Sequence, residues 1–125
     1  MLTGRAVSGH DLRERTLRFA SRVAVFCGEF HRWSEPRRTL CTQLVRAGTS
    51  VGCNVEEAAG GQSRADFLSK ISIALKESRE ALFVLRVIQM SRVDDSDTVR
   101  ALIQEADELV AILTTIVKNT KARGV

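Results

Sequence analysis

Proline, tyrosine, tryptophan and histidine are all scarce in this 125-residue sequence, which has one proline, no tyrosine, one tryptophan and two histidines. A sandwich or barrel needs turn residues at intervals of about 8 to 12 positions. Pro36 and eight glycines cannot supply them. Without tyrosine, and with Trp33 alone, there is no aromatic platform on which single-stranded bases would stack. Neither His10 nor His31 lies three residues after a glutamate, so the paired Glu-x-x-His ligands of a ferritin-like dimetal site are missing. Cys27, Cys41 and Cys53 are odd in number and lack C-x-x-C spacing. They are read as small buried hydrophobes rather than as a disulfide framework or zinc knuckle. His31 follows Cys27 by four residues, but no third group orients it, so no activated thiol is indicated. No glycine-rich phosphate loop occurs. No apolar run approaches the roughly 18 residues of a membrane span, and the N-terminus lacks a signal-peptide pattern. A cytoplasmic, non-enzymatic protein without metal, cofactor or membrane contact is the expectation.

Apolar residues make up 44% and charged residues 27%, enough to build one continuous core in a single domain. The formal net charge is +4, and fifteen of the nineteen basic residues are arginine. Residues 1–50 hold nine arginines against four acids, while the remainder is nearly balanced.

Apolar residues recur at steps of three and four in four segments, the period of one helical face. The first stripe is Leu12, Thr16, Phe19, Val23, Phe26 and Phe30, with Asp11 as the expected N-cap. The second is Leu40, Leu44, Ala47, Val51, Asn54 or Val55, and Ala58, entered through Ser34 and Pro36 and closed by a left-handed residue in the Gly60-Gly61 pair. Ser63 and Asp66 resemble a capping box for the third, which carries Phe67, Ile71, Ala74, Ser78, Ala81, Leu85 and Ile88. Asp94, Asp95 and Asp97 precede the fourth, which runs Val99, Leu102, Ala106, Leu109, Leu113 and Ile116 and ends in Lys118, Lys121 and Arg123. The pattern predicts an all-α, antiparallel up-down-up-down four-helix bundle over residues 11–120, with helices at about 11–32, 36–59, 64–91 and 96–120 and tails at 1–10 and 121–125.

Four features lie outside these stripes. Gly48 and Gly52 sit in mid-helix, where each costs about 1 kcal/mol relative to alanine, so another helix, in this chain or a neighbouring subunit, should approach closely there. Leu17, Val25, Phe83, Val84, Val87 and Ile112 exceed what one inward stripe needs, which suggests subunit contacts or a wide core face. Gly48, Gly52, Phe83 and Val87 are the expected oligomer contacts. Asn54 falls on an apolar stripe and must find hydrogen-bond partners. With Arg46, Glu57 and Lys70 it is expected to form a polar network tying the second helix to the third, and Glu56, Glu57, Glu77 and Glu80 are expected in ion pairs with Arg46, Arg64, Arg79 or Lys76. Finally, Arg15, Arg18 and Arg22 share a helical face, and with Arg32, Arg37 and Arg38 they form a candidate patch for backbone-directed binding of structured RNA or DNA. The alternatives are a solvated basic face and a protein-interaction scaffold.

The centre of the chain is more distinctive. Gln43-Leu44-Val45-Arg46-Ala47-Gly48-Thr49-Ser50-Val51-Gly52-Cys53-Asn54, then Glu57-Ala58, Ser63 to Lys70 and Ala74 to Glu80 resemble the small four helix bundle protein family. That family includes proteins encoded in intervening sequences of large-subunit ribosomal RNA genes and is related to the accessory variability determinant of diversity-generating retroelements. The likeness covers roughly Leu12 to Met90. It implies a homopentameric ring, and nucleic-acid binding for the retroelement relative, which also binds its reverse transcriptase. Many relatives end the second helix in Asn-Ile-Ala-Glu-Gly with an arginine shortly after. Here Asn54-Val55-Glu56-Glu57-Ala58 stands in that place, with Gly61 where the arginine would fall, so no role of that arginine carries over. The leucine-proline that often closes the first helix is also replaced, by His31, Arg32 and Trp33.

Overall fold

The computed structural model describes residues 9–29 and 34–124, and within them the chain is all helical. The elements are α1 (Gly9–Gly28), α2 (Arg37–Ala59), α3 (Arg64–Met90) and α4 (Asp97–Ala122). They surround one core in chain order. α2 and α3 share the most extensive contact, α3 also packs on α4, α1 packs mainly on α2, and the α1/α4 contact is the smallest. This leaves α1 and α3 diagonal to each other.

The direction of successive helices follows from which residues meet. Along α1 the partners on α2 run backwards: Arg13 pairs with Glu56, Thr16 backs onto Gly52, Val23 onto Gly48, and Cys27 onto Cys41. Across the next pair, Lys70 at the start of α3 meets Glu57 near the end of α2, and Glu80 meets Arg46. Arg64, which opens α3, donates to the Arg123 carbonyl just past α4 at 3.0 Å. Each pairing of an early residue with a late one requires neighbouring helices to run antiparallel.

The core consists of the inward residues of the four stripes. Phe19, Leu44, Ile71, Leu85, Leu102 and Leu109 are almost wholly removed from water. Each such side chain stabilises the fold by about 1.5 to 3 kcal/mol relative to an exposed position. Val84 and Ile112 are buried as well, which corrects their reading as surplus. α3 contacts helices on two sides, so its buried arc is wider than a single stripe. Buried hydroxyls bond locally: Thr16 Oγ1 donates to the Leu12 carbonyl at 3.0 Å, and Ser78 Oγ to that of Leu75 at 2.8 Å.

The helix ends show where local sequence signals were overridden. α1 starts at Gly9, so Asp11 lies in its first turn and complements the helix dipole instead of capping it. α1 ends at Gly28, short of residue 32, and Glu29 turns back by donating to the Phe26 carbonyl. Phe30, His31, Arg32 and Trp33 lie outside the described residues. Ser34 does not cap α2. Pro36 occupies the N-cap position, no side chain caps the helix, and the carbonyls of Ser34 and Pro36 accept from Arg38 and Leu40. Ser63 does cap α3, accepting from the Asp66 N–H at 3.0 Å, and Ser96 caps α4.

The two glycine pairs differ in purpose from their sequence reading. Gly60 has φ −94, and Gly124 alone among the described glycines has a positive φ, so no left-handed glycine closes α2. Gly61 is set by tight space, because a Cβ there would sit 3.0 Å from Asp66 Oδ2 and 3.1 Å from the Ala58 carbonyl. Gly48 and Gly52 face Val23 and the Thr16 carbonyl, each at 3.5 Å from an added Cβ. They are occupied by α1 of the same chain, which removes them as oligomer contacts. The left-handed residue that the sequence did not reveal is Arg92, with φ 63, in the turn after α3. Val93 N–H there reaches back to the Ile88 carbonyl at 3.1 Å, closing a Schellman-type end.

Two outcomes follow for thermal or urea unfolding. Arg92→Gly should raise stability by about 1 kcal/mol, since a left-handed L-residue carries a penalty of that order. Gly48→Ala should gain up to about 1 kcal/mol of helix propensity, because its methyl meets only ordinary contact distances, whereas Gly61→Ala should lose stability. A loss at Gly48→Ala would show that the α1/α2 contact is tighter than described.

Candidate nucleic-acid interface

The arginine patch expected from sequence is taken apart by the fold. Arg15 points from α1 across to α4, where its guanidinium forks onto Glu105, with Nη2 to Oε1 at 2.6 Å and Nε to Oε2 at 3.0 Å. The same Nη2 reaches Glu108 at 3.0 Å, and Gln104 donates to the other Glu108 oxygen at 2.9 Å. Hydrogen bonding to Glu105 holds the Arg15 guanidinium above its ordinary value, against the opposing effect of burial. The hydrogen bonds from Gln104 and then Arg15 hold the Glu108 carboxyl below its ordinary value of 4.5. Arg15 is therefore a clamp across the smallest helix contact.

Arg37 is similarly engaged, donating from Nη2 to the Val93 carbonyl at 2.9 Å and tying the start of α2 to the α3/α4 turn. Arg18, Arg22 and Arg38 remain exposed. Arg18 is 72% exposed and lies 3.8 Å from Glu14, one turn away, a surface pair of small worth. Arg32 lies outside the described residues. The accessible cations of this region are thus Arg18 and Arg22, one turn apart on α1, together with Arg38 at the start of α2.

The expected polar network divides into separate contacts. Arg46 bonds to Glu77 at 3.2 Å and to Glu80, and Lys70 pairs with Glu57 at 2.8 Å, so both link α2 to α3. Donation to Glu80 and to Glu57 raises the pKa of Arg46 and Lys70 respectively. Asn54 joins neither pair. It is half-buried, and its amide donates to the Ser50 carbonyl and hydroxyl oxygen one turn back on its own helix at 2.9 and 3.2 Å. Arg79 and Lys76 are exposed and take no part in the ion pairs expected of them, whereas Arg13, which sequence reasoning missed, pairs with Glu56 at 2.9 Å. Every buried side-chain nitrogen or oxygen among the described residues has a partner.

Cys27 and Cys41 are buried against each other, and burial pushes both thiols up. Cys53 is exposed, contrary to its reading as a buried hydrophobe. No group of three metal-ligating side chains occurs among the described residues, and no helix there is long and apolar enough to cross a membrane.

Four helices packed around a single core define an all-α bundle. The model of the 23S rRNA-intervening sequence protein family matches residues 10–115, and the chain belongs to that family. Among solved structures it is similar to a protein of unknown function from the S23 ribosomal protein family of Bacteroides thetaiotaomicron. The two share 29% identity with a TM-score of 0.75, over 86% of this chain and 98% of that one. No curated protein matches.

The Arg15 clamp carries a pH signature. A carboxyl whose folded pKa is depressed adds stability that is present above its unfolded value and is lost as pH falls through the folded value. Acid unfolding below about pH 4.5 should therefore be less steep in Glu108→Gln than in the parent, with the two curves converging at low pH. Superimposable slopes throughout would show that Glu108 is no more engaged than a surface carboxylate.

Proposed function

We propose that this protein is a non-enzymatic, self-associating helical bundle that receives the phosphate backbone of structured RNA or DNA on the exposed arginines of α1 and the start of α2. The observation that carries this reading is the pair Arg18 and Arg22, exposed one turn apart on the helix that the basic N-terminal half supplies. Arginine's planar fork suits phosphate, and backbone contact needs clustered cations rather than a pocket. The match to a family named for the intervening sequences of 23S rRNA supports a nucleic-acid setting. Self-association, expected as a ring of five from the family resemblance, would use the apolar outer face of α1, where Leu17 and Val25 are 60% and 65% exposed. Exposed Phe83 on α3 favours a second reading, a protein-interaction scaffold.

Fluorescence anisotropy of labelled structured RNA and duplex DNA, titrated at several salt concentrations, tests the first reading. Binding should be micromolar or tighter and fall steeply with salt. Arg18→Ala with Arg22→Ala should lower the slope of log K against log salt by roughly 2, one unit per lost phosphate contact. Arg15→Ala should instead lower thermal stability and leave that slope unchanged, since Arg15 is spent inside the fold. No binding at low salt would remove the nucleic-acid reading.

A further inference from the structure

The outer face of α3 carries a second surface, diagonal to α1 and independent of the arginines discussed above. Lys76, Arg79, Phe83, Arg86 and Met90 follow one another at steps of three, four, three and four, so they form one stripe along about four turns of helix. All five are exposed, with Phe83 at 68% and Met90 at 82%. The three cations enter no ion pair or hydrogen bond among the described residues. Glu80, the acid beside the stripe, is held by Arg46. A helix that is solvated for its own sake does not alternate large apolar side chains with unpaired cations in a 3.5-residue repeat. That repeat is the spacing at which a second helix lies along the first.

We infer that this stripe is a docking seam for an acidic amphipathic helix of a partner protein. The apolar face of such a helix would cover Phe83 and Met90, and its flanking carboxylates would meet Lys76, Arg79 and Arg86. Charge complementarity selects this occupant over a second copy. Among the described residues the exposed helical acids Glu56, Glu57 and Asp97 already meet Arg13, Lys70 and Arg100, Asp11 has a partner, and Glu29 and Glu35, which enter no ion pair, lie outside the helices, which leaves Asp107 by itself on α4, so a second copy offers no helical row of unpaired carboxylates. The same side chains disfavour a nucleic-acid backbone, which would meet the cations but leave Phe83 and Met90 without an apolar counterpart. Phe83 and Val87, expected as oligomer contacts, are thereby assigned to or beside this seam.

The test uses the full chain and a fluorescein-labelled synthetic helix with leucines on one face and glutamates flanking them. A version with lysine in place of glutamate and a labelled DNA duplex serve as comparison probes. The acidic helix should bind in the micromolar range and the lysine version should not. Phe83→Ser, and separately Arg79→Glu with Arg86→Glu, should each weaken binding by about tenfold or more. All three are surface positions, and an unchanged circular dichroism melt would show the fold is retained. Three results would overturn the inference: equal binding of both helices, indifference of the acidic helix to either variant, or no binding at low salt. Duplex binding lost in the same two variants would make the seam a phosphate surface, and a fall in solution mass on Phe83→Ser would make it a subunit contact. Either outcome also overturns it. Because Arg18 and Arg22 are intact throughout, failure here leaves the nucleic-acid reading of α1 standing, and failure there leaves this seam standing.

Discussion

The structure depends on α3 being buried on two sides at once. Its inward arc takes in Ile71, Ala74, Leu75, Ser78, Ala81, Val84, Leu85 and Ile88, which is wider than one stripe because α2 closes on one flank and α4 on the other. With that helix fixed, α2 and α4 have defined places, and the remaining freedom is in α1. Gly48 and Gly52 of α2 lie against Val23 and Thr16 of α1, where an added Cβ would meet them at ordinary contact distance. The α1/α4 contact is small in area, and there the forked Arg15 bond to Glu105, with Glu108 beside it, supplies a directed attachment. Hydrophobic burial thus places three helices, and a half-buried ion cluster sets where the fourth meets its second neighbour.

That division governs which charges are available for function. A guanidinium fork fits a carboxylate as well as it fits a phosphate. An arginine that faces a neighbouring helix is therefore neutralised by whatever acid that helix carries. Arg15 meets Glu105, Arg46 meets Glu77 and Glu80, and Arg13 meets Glu56. An arginine on an outward arc keeps its charge for a partner. Arg18 and Arg22 stand on such an arc of α1, as do Arg79 and Arg86 on α3.

The helices could be read from the sequence because a helical stripe is a local property. Leu12 to Phe26 and Val99 to Leu113 announce their periodicity without reference to the rest of the chain, and the Ser63 cap is a bond between residues three apart. What escaped the sequence depends on azimuth and cross-helix register. Arg15 and Arg18 are three residues apart and look equivalent on paper, yet the small rotation between them turns one toward Glu105 and the other to solvent. Asn54 looked like a bridge to α3 because it falls on the apolar stripe, but Ser50, one turn back, satisfies its amide at the stripe's edge. Arg92 escaped for a different reason. Its left-handed backbone is imposed by the return of Val93 to Ile88, and no glycine marks it.

The same reasoning separates the two outward surfaces. Beside Arg18 and Arg22 on α1 lie Ser21 and the exposed Val25, and Arg18 already shares Glu14. The charge part of a ligand's gain there is screened by salt. On α3 the cations alternate with Phe83 and Met90, so a ligand that matches the charge while leaving the apolar groups wet forgoes the larger contribution. Burial of apolar surface is insensitive to salt screening and grows with the area covered. The two partners proposed for these faces differ in chemistry, and because α1 and α3 lie diagonally across the bundle, one would not obstruct the other.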